Sequence, residues 1–180
     1  MALNATLHTF ALELADLDRN VYRELDLRVA RHPSETDEFM LTRLLAYCLE
    51  FTDGIAFSDG GVSSTDEPAV LVRDLTGRIT AWIEVGAPDA DRVHRAGKLA
   101  DRVAVYTHRD PAKVLAPLRG KRIHRADTIP LYSIDRAAID TAVAALDRRN
   151  TVTLSVTERQ LYLDINGTVV STPVEEHRLG

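Results

Sequence analysis

The chain has 180 residues, of which 45% are hydrophobic and 27% charged, with only 9 glycines and 7 prolines. That composition excludes collagenous, low-complexity and wholly disordered architectures and predicts one globular domain with a sizeable core. A net charge of −5 argues against a chain that coats nucleic acid non-specifically, although a local basic groove is compatible with an acidic total.

Residues 3–14 and 21–30 alternate apolar and polar side chains, and turn-forming residues 16–20 lie between them, so an N-terminal antiparallel hairpin is expected. Pro33 ends the second strand, Ser34 is the expected N-cap of a helix running to about residue 51, and Leu41, Leu44, Leu45, Cys48 and Leu49 form its apolar stripe. At about 100° per residue, Asp37 and Glu38 project within roughly 60° of Leu41, whereas Glu35 lies near 120° and Arg43 and Glu50 face away. Residues 53–66 are rich in Gly, Ser, Thr and Asp and read as a flexible loop. Two strands follow, 68–73 and 79–85, joined by a glycine-bearing turn. A helix after Pro88, capped by Asp89, turns Val93, Ala96, Gly97 and Ala100 inward. A valine-rich strand (102–107), a short helix (111–118), a strand (129–134) and an alanine-rich helix (135–146) capped by Asp135 complete the middle of the chain. The segments 151–156, 160–165 and 168–171 read as a meander with an Asn166-Gly167 turn, and 173–180 as a mobile tail.

The lone cysteine, Cys48, rules out an intrachain disulfide. Residues 1–17 lack the basic start of a signal peptide and carry Glu13 and Asp16, and no run of about 18 apolar residues occurs. A cytoplasmic protein without membrane partners is therefore expected.

The element order predicts an α+β protein with an α/β-like core, a mixed β-sheet flanked by helices whose active site would gather at the carboxyl ends of central strands. Glu84 sits there, in Trp82-Ile83-Glu84-Val85-Gly86, and its apolar neighbours leave it either desolvated or committed to a partner. Beside the inward carboxylates of Asp37 and Glu38 it forms a candidate Mg²⁺ or Mn²⁺ site, because hard cations take oxygen ligands. The competing readings are structural. Asp37 and Glu38 can serve a helix N-terminus, Glu84 can pair with Arg92 or Arg95, and Trp82, on the face of Glu84, can be core. His32, His94, His108 and His124 lack zinc-ligand spacing; His108, at a strand end, is a candidate rim residue.

The strings His-Pro-Ser-Glu-Thr-Asp-Glu (32–38), Asp-Glu-Pro (66–68), Asp-Leu-Thr-Gly-Arg-Ile (74–79), Trp-Ile-Glu-Val-Gly (82–86) and Val-Ala-Val-Tyr-Thr (103–107) resemble those of the YaeQ family, in order from about residue 2 to 173. The resemblance implies a single domain over 1–173, followed by the tail 174–180. It also implies a fold like that of the PD-(D/E)XK nuclease-like superfamily, carrying an N-terminal β-hairpin and a C-terminal β-meander. That superfamily places an Asp at one strand start, a Glu or Asp on the next strand and a Lys two residues later. Here Glu84 matches the acid, but Ala69 stands at the Asp position and Gly86 at the Lys position. Asp74 lies at the far end of the hairpin, roughly 15 to 20 Å away, and cannot substitute. The nearest replacement ligands are Asp66 and Glu67, with Glu38 from the helix. Lys98 is the nearest lysine, and Arg92 and Arg95 are placed to neutralise a phosphate. Two functions follow: a metal-dependent phosphodiesterase acting on nucleic acid, with Mg²⁺ or Mn²⁺ and no organic cofactor, or a non-catalytic binding or regulatory protein that kept the fold.

Overall fold

Alternating burial builds the first two strands: Phe10, Leu12 and Leu14 of β1 (Thr6–Asp16) face inward, and β2 (Val21–Arg31) pairs with it antiparallel from Thr6↔Arg31 to Asp16↔Val21. The structure is a computed structural model that describes residues 4–59 and 67–180. Helix α1 (Asp37–Leu49) starts two residues later than the sequence suggests, because Thr36 is its N-cap and accepts from the Phe39 amide at 3.1 Å. The expected cap, Ser34, is engaged instead by the His32 ring, its Oγ 2.7 Å from Nδ1.

Strand β3 (Ile55–Phe57) forms within the segment expected to be a loop, pairing with β4 (Val70–Arg73). The Gly60-Gly61 part of that segment lies outside the described residues. Strand β5 (Ile79–Val85) pairs antiparallel with β4 and parallel with β6 (Arg102–Thr107), across α2 (Ala90–Leu99). Next come α3 (Pro111–Leu115), β7 (Pro130–Ile134) parallel to β6, and α4 (Arg136–Ala144). Asp135 precedes α4 without a side-chain cap bond. The meander β8 (Arg149–Thr157), β9 (Gln160–Ile165) and β10 (Thr168–Arg178) closes the chain, with Asn166 and Gly167 at φ 53° and 93° as the expected turn demands.

The strands of the described residues join one 10-stranded mixed sheet in the order β2-β1-β8-β9-β10-β7-β6-β5-β4-β3. Its two end strands, β2 and β3, both touch α1, so the sheet curls around that helix into a nearly closed barrel. A cavity between them, lined by Leu27 and Ala30 on one side and Ile55 and Phe57 on the other, with Arg43 and Tyr47 also in its wall, marks the seam. This enclosure overturns the expectation that Arg43 faces away from the buried stripe of the helix and that Glu35 lies off it. Met40 through Cys48 are all buried, and Arg43 Nη2 meets Glu35 Oε1 at 3.0 Å with both side chains nearly inaccessible. The supposed tail is likewise structural. β10 leaves β9 at Pro173 and pairs with β7 from Val174↔Ile134 to Arg178↔Pro130, after which Leu179 is buried. One strand thereby welds the hairpin–meander half of the sheet to the β3–β7 half. Two cores result, one around α1 and a second holding Trp82, Val93, Ala96 and Leu131 beneath α2 and α3. No helix among the described residues is long and apolar enough to cross a membrane.

Candidate functional site

Glu84 is the penultimate residue of β5, on the face that carries Trp82, and it is 5% exposed. Its Oε1 accepts from Trp82 Nε1 and from Arg92 Nε, each at 2.6 Å. Arg92 reaches it because Asp89 caps α2 by accepting from the Arg92 amide at 2.8 Å, which aims the first turn at the strand end. The same guanidinium donates to the Glu67 carbonyl at 2.8 Å and lies 5.7 Å from the Trp82 ring centroid. Burial raises the Glu84 carboxyl above its ordinary range, opposed by Arg92 and by the Trp82 hydrogen bond. These groups border a cleft of about 350 Å³ that also includes Phe39, Ala69 and Pro88.

The glycine at the motif lysine position has a local cause. Gly86 takes φ 98°, and a Cβ there would sit 3.2 Å from the Phe39 ring, so the first turn of α1 occupies the space a side chain would need. Ala69 is buried at the neighbouring strand start and contributes no carboxylate.

The other predicted residues scatter. Glu67 turns to Arg73 at 2.7 Å and Ser58 at 2.9 Å, and these hydrogen bonds, that of Arg73 first, hold its carboxyl below the ordinary range. Asp37 pairs with Arg31 at 3.3 Å. Glu38 is half-buried in the first turn of α1; its backbone carbonyl accepts from Thr42 Oγ1, which also contacts His108 Nδ1 at 3.2 Å. Burial lowers the His108 imidazole, Arg136 and Arg109 reinforce that, and Glu38 opposes it. Arg95 and Lys98 are exposed on α2. Asp66 lies outside the described residues. Among the described residues, no three His, Cys, Asp or Glu side chains gather in a group that could hold a metal ion.

A second cavity, of about 470 Å³, opens at the carboxyl end of α1 and was not anticipated from the sequence. Glu50 anchors it: Arg102 donates to the two carboxylate oxygens at 2.9 and 2.7 Å, and the Tyr106 hydroxyl donates to Oε1 at 2.9 Å. Tyr106 and Tyr132 pack ring on ring with centroids 4.8 Å apart. Burial and then Glu50 drive the Tyr106 phenol well above its usual range. No spacing in the sequence links these residues, which come from the C-cap of α1, β6 and β7.

A mixed sheet curled about a central helix, with a buried, paired acid at the end of a parallel strand, defines an α+β protein with helices flanking its sheet. Within that class the chain belongs to the YaeQ family, since the family model described as YaeQ protein matches residues 1–174. It is 32% identical over 164 residues to the uncharacterized protein YaeQ of Escherichia coli (strain K12), covering 91% of this chain and 90% of that one. The Salmonella typhi YaeQ is 40% identical over 112 residues, 62% of this chain and 61% of the relative. The crystal structure of YaeQ from Pseudomonas syringae is similar at TM-score 0.85 and 27% identity, covering 98% of each chain. That of YaeQ from Xanthomonas axonopodis pv. citri is similar at TM-score 0.86 and 28% identity, covering 96% of this chain and 98% of that one.

Proposed function

We propose that this chain is a non-catalytic binding or regulatory protein on a nuclease-like core, rather than a metal-dependent phosphodiesterase. The order α1, the antiparallel meander β3–β4–β5, α2 and the parallel β6 supports the nuclease-like core, because the superfamily carries helix, three-stranded meander, helix and strand in that order.

One observation carries the non-catalytic reading: Arg92 and Trp82 both donate to Oε1 of Glu84, the single acid that matches the motif. A divalent cation at that oxygen would face a guanidinium at hydrogen-bond distance. Displacing Arg92 would break its bonds to Glu84 and to the Glu67 carbonyl together. Among the described residues, a lone motif carboxylate with one oxygen already committed to two donors supports the reading without Mg²⁺ or Mn²⁺. With Ala69 and Gly86 at the remaining motif positions, the cleft wall among the described residues carries no lysine, and its other acid, Asp89, caps α2.

The test is thermal unfolding during a Mn²⁺ titration of the wild type and Glu84→Ala, alongside cleavage of labelled DNA and RNA. A ligand specific to the native state adds about 2.7 kcal/mol at a hundredfold excess over its Kd. No saturable stabilisation by metal and no cleavage above that of Glu84→Ala are expected. Saturable stabilisation that disappears in Glu84→Ala, with metal-dependent cleavage, would establish the phosphodiesterase reading and nucleic acid as the partner.

A further inference from the structure

The cavity at the carboxyl end of α1 lies about 15 Å along the helix from the turn that borders the Glu84 cleft, at 1.5 Å per residue. Its wall carries three carboxylates, and each is already satisfied. Asp16 pairs with Arg19 at 2.8 Å, Glu50 takes Arg102 and Tyr106, and Asp18 accepts the backbone amides of Glu158 and Arg159 at 2.7 and 2.9 Å. Arg159 is different. Among the described residues it has no carboxylate at ion-pair distance; its Nε donates to the Val174 carbonyl at 3.4 Å, and its guanidinium lies 4.9 Å from the Tyr132 ring centroid. Arg102 Nη2 approaches the hydroxyl of that same Tyr132 at 3.5 Å, so two guanidiniums converge on one phenol.

The backbone that presents Arg159 is strained. Glu158 and Arg159 occupy the tight turn between β8 and β9 with φ 50° and 61°, left-handed values that favour Asn and Gly and that the next hairpin fills with Asn166-Gly167. Two non-glycine residues in this region are costly and persist only when the surroundings hold them, and here Asp18, from the β1–β2 turn, holds both amides. A Gly in place of Arg159 would relieve the strain at its position. The arginine instead projects a planar cation over the cavity, whose apolar wall is Leu49, Val156 and Val174.

From this geometry we infer that the cavity binds a small organic anion, its carboxylate or phosphate held by the Arg159 guanidinium, with Arg102 adding positive charge nearby while its Nε and Nη2 stay on Glu50, and its apolar body against Leu49, Val156 and Val174. The guanidinium fork matches both oxyanions, and a volume of about 470 Å³ suits a small molecule. This deepens the binding role proposed above by naming its ligand class.

Amide correlation NMR of the full chain tests it, with phenyl phosphate and benzoate as probes, benzyl alcohol as the neutral control, and concentrations up to about 10 mM. At least one anionic probe is expected to give saturable shifts at Asp18, Glu158 and Arg159, with affinity falling by about tenfold or more in Arg159→Gln. Arg159→Gly is expected to lose binding equally while melting no lower than the wild type, which separates a ligand contact from a structural one. Absence of saturable shifts with either anion, shifts that benzyl alcohol reproduces, or unchanged affinity in Arg159→Gln would overturn the inference. Mn²⁺ added to the same samples reports on Glu84 separately. Saturable Mn²⁺-induced broadening centred there would defeat the non-catalytic reading and leave the anion site standing, whereas absence of the anion shifts alone would defeat only the site.

Discussion

Replacing Arg43 by methionine strands the Glu35 carboxylate inside the fold. The two side chains are 2% and 0% exposed and meet at 3.0 Å. Glu35 Oε1 also accepts the His32 amide at 3.1 Å, but Glu35 Oε2 and Arg43 Nε are buried without a partner. Breaking such a pair from one side costs about 3–5 kcal/mol, and for a domain of this size that lowers the melting temperature by roughly 6–20 °C. Burial already raises the Glu35 carboxyl above its ordinary range, opposed chiefly by Arg43, so deleting the cation raises it further. A carboxyl whose folded pKa exceeds its unfolded one contributes most below the unfolded value and loses that contribution as pH climbs through the folded one. The variant is therefore expected to lie nearest the wild type around pH 5 and to fall behind toward pH 7. The double variant Glu35→Leu/Arg43→Met, which removes both under-satisfied charges, is expected within about 1 kcal/mol of the wild type or above it. Urea unfolding followed by the single tryptophan, Trp82, reads all three proteins. A loss below about 1 kcal/mol for Arg43→Met at pH 7, or a loss that grows at pH 5, would refute the reasoning.

Removing residues 174–180 is expected to cost roughly 3–6 kcal/mol from the burial of Val174 and Leu179 alone, before the lost pairing with β7 is counted. A melt within a few degrees of the full chain, followed by circular dichroism, would contradict that. Gly86→Lys, which restores the motif lysine in name, is expected to destabilise by about 1–3 kcal/mol, because φ is 98° and Phe39 fills the space. The same variant is expected to gain no cleavage activity, and metal-dependent cleavage would count against it. Burial pushes the Cys48 thiol up to about 12, so iodoacetamide near pH 8 is expected to label it only after unfolding. Stoichiometric labelling of the native chain, read by mass spectrometry, would show that α1 is not enclosed.

Much of the fold was legible because it is local. Alternation marks β1 and β2, Asn166-Gly167 marks its hairpin, and Asp89 with the small inner residues Val93, Ala96 and Gly97 marks α2. Long-range enclosure was not legible. A helix surrounded by a curled sheet buries Arg43 as well as its apolar stripe, and no periodicity announces a charged residue matched by Glu35 across the cap. The polar run Glu175-Glu176-His177-Arg178 reads as solvated until β7 supplies its partner. At Glu84, the choice between ligand and ion pair was visible from burial and from the nearby arginines, and the structure selects Arg92 over Arg95 because Asp89 fixes the direction of α2. Helical periodicity turns Glu50 away from the apolar stripe of α1. In the fold it faces Arg102 and Tyr106, a meeting of residues more than fifty positions apart that only tertiary structure creates.

The proposed non-catalytic role requires the Glu84 carboxylate to stay with Arg92 and Trp82 instead of taking a metal. Crystals of the wild type soaked in MnCl₂ and measured for manganese anomalous scattering test it most directly. The predicted map has no anomalous peak within about 2.5 Å of the Glu84 oxygens, the reach of a hard-cation ligand, and Arg92 stays in place. A peak at that distance, with Arg92 swung away, would contradict the account.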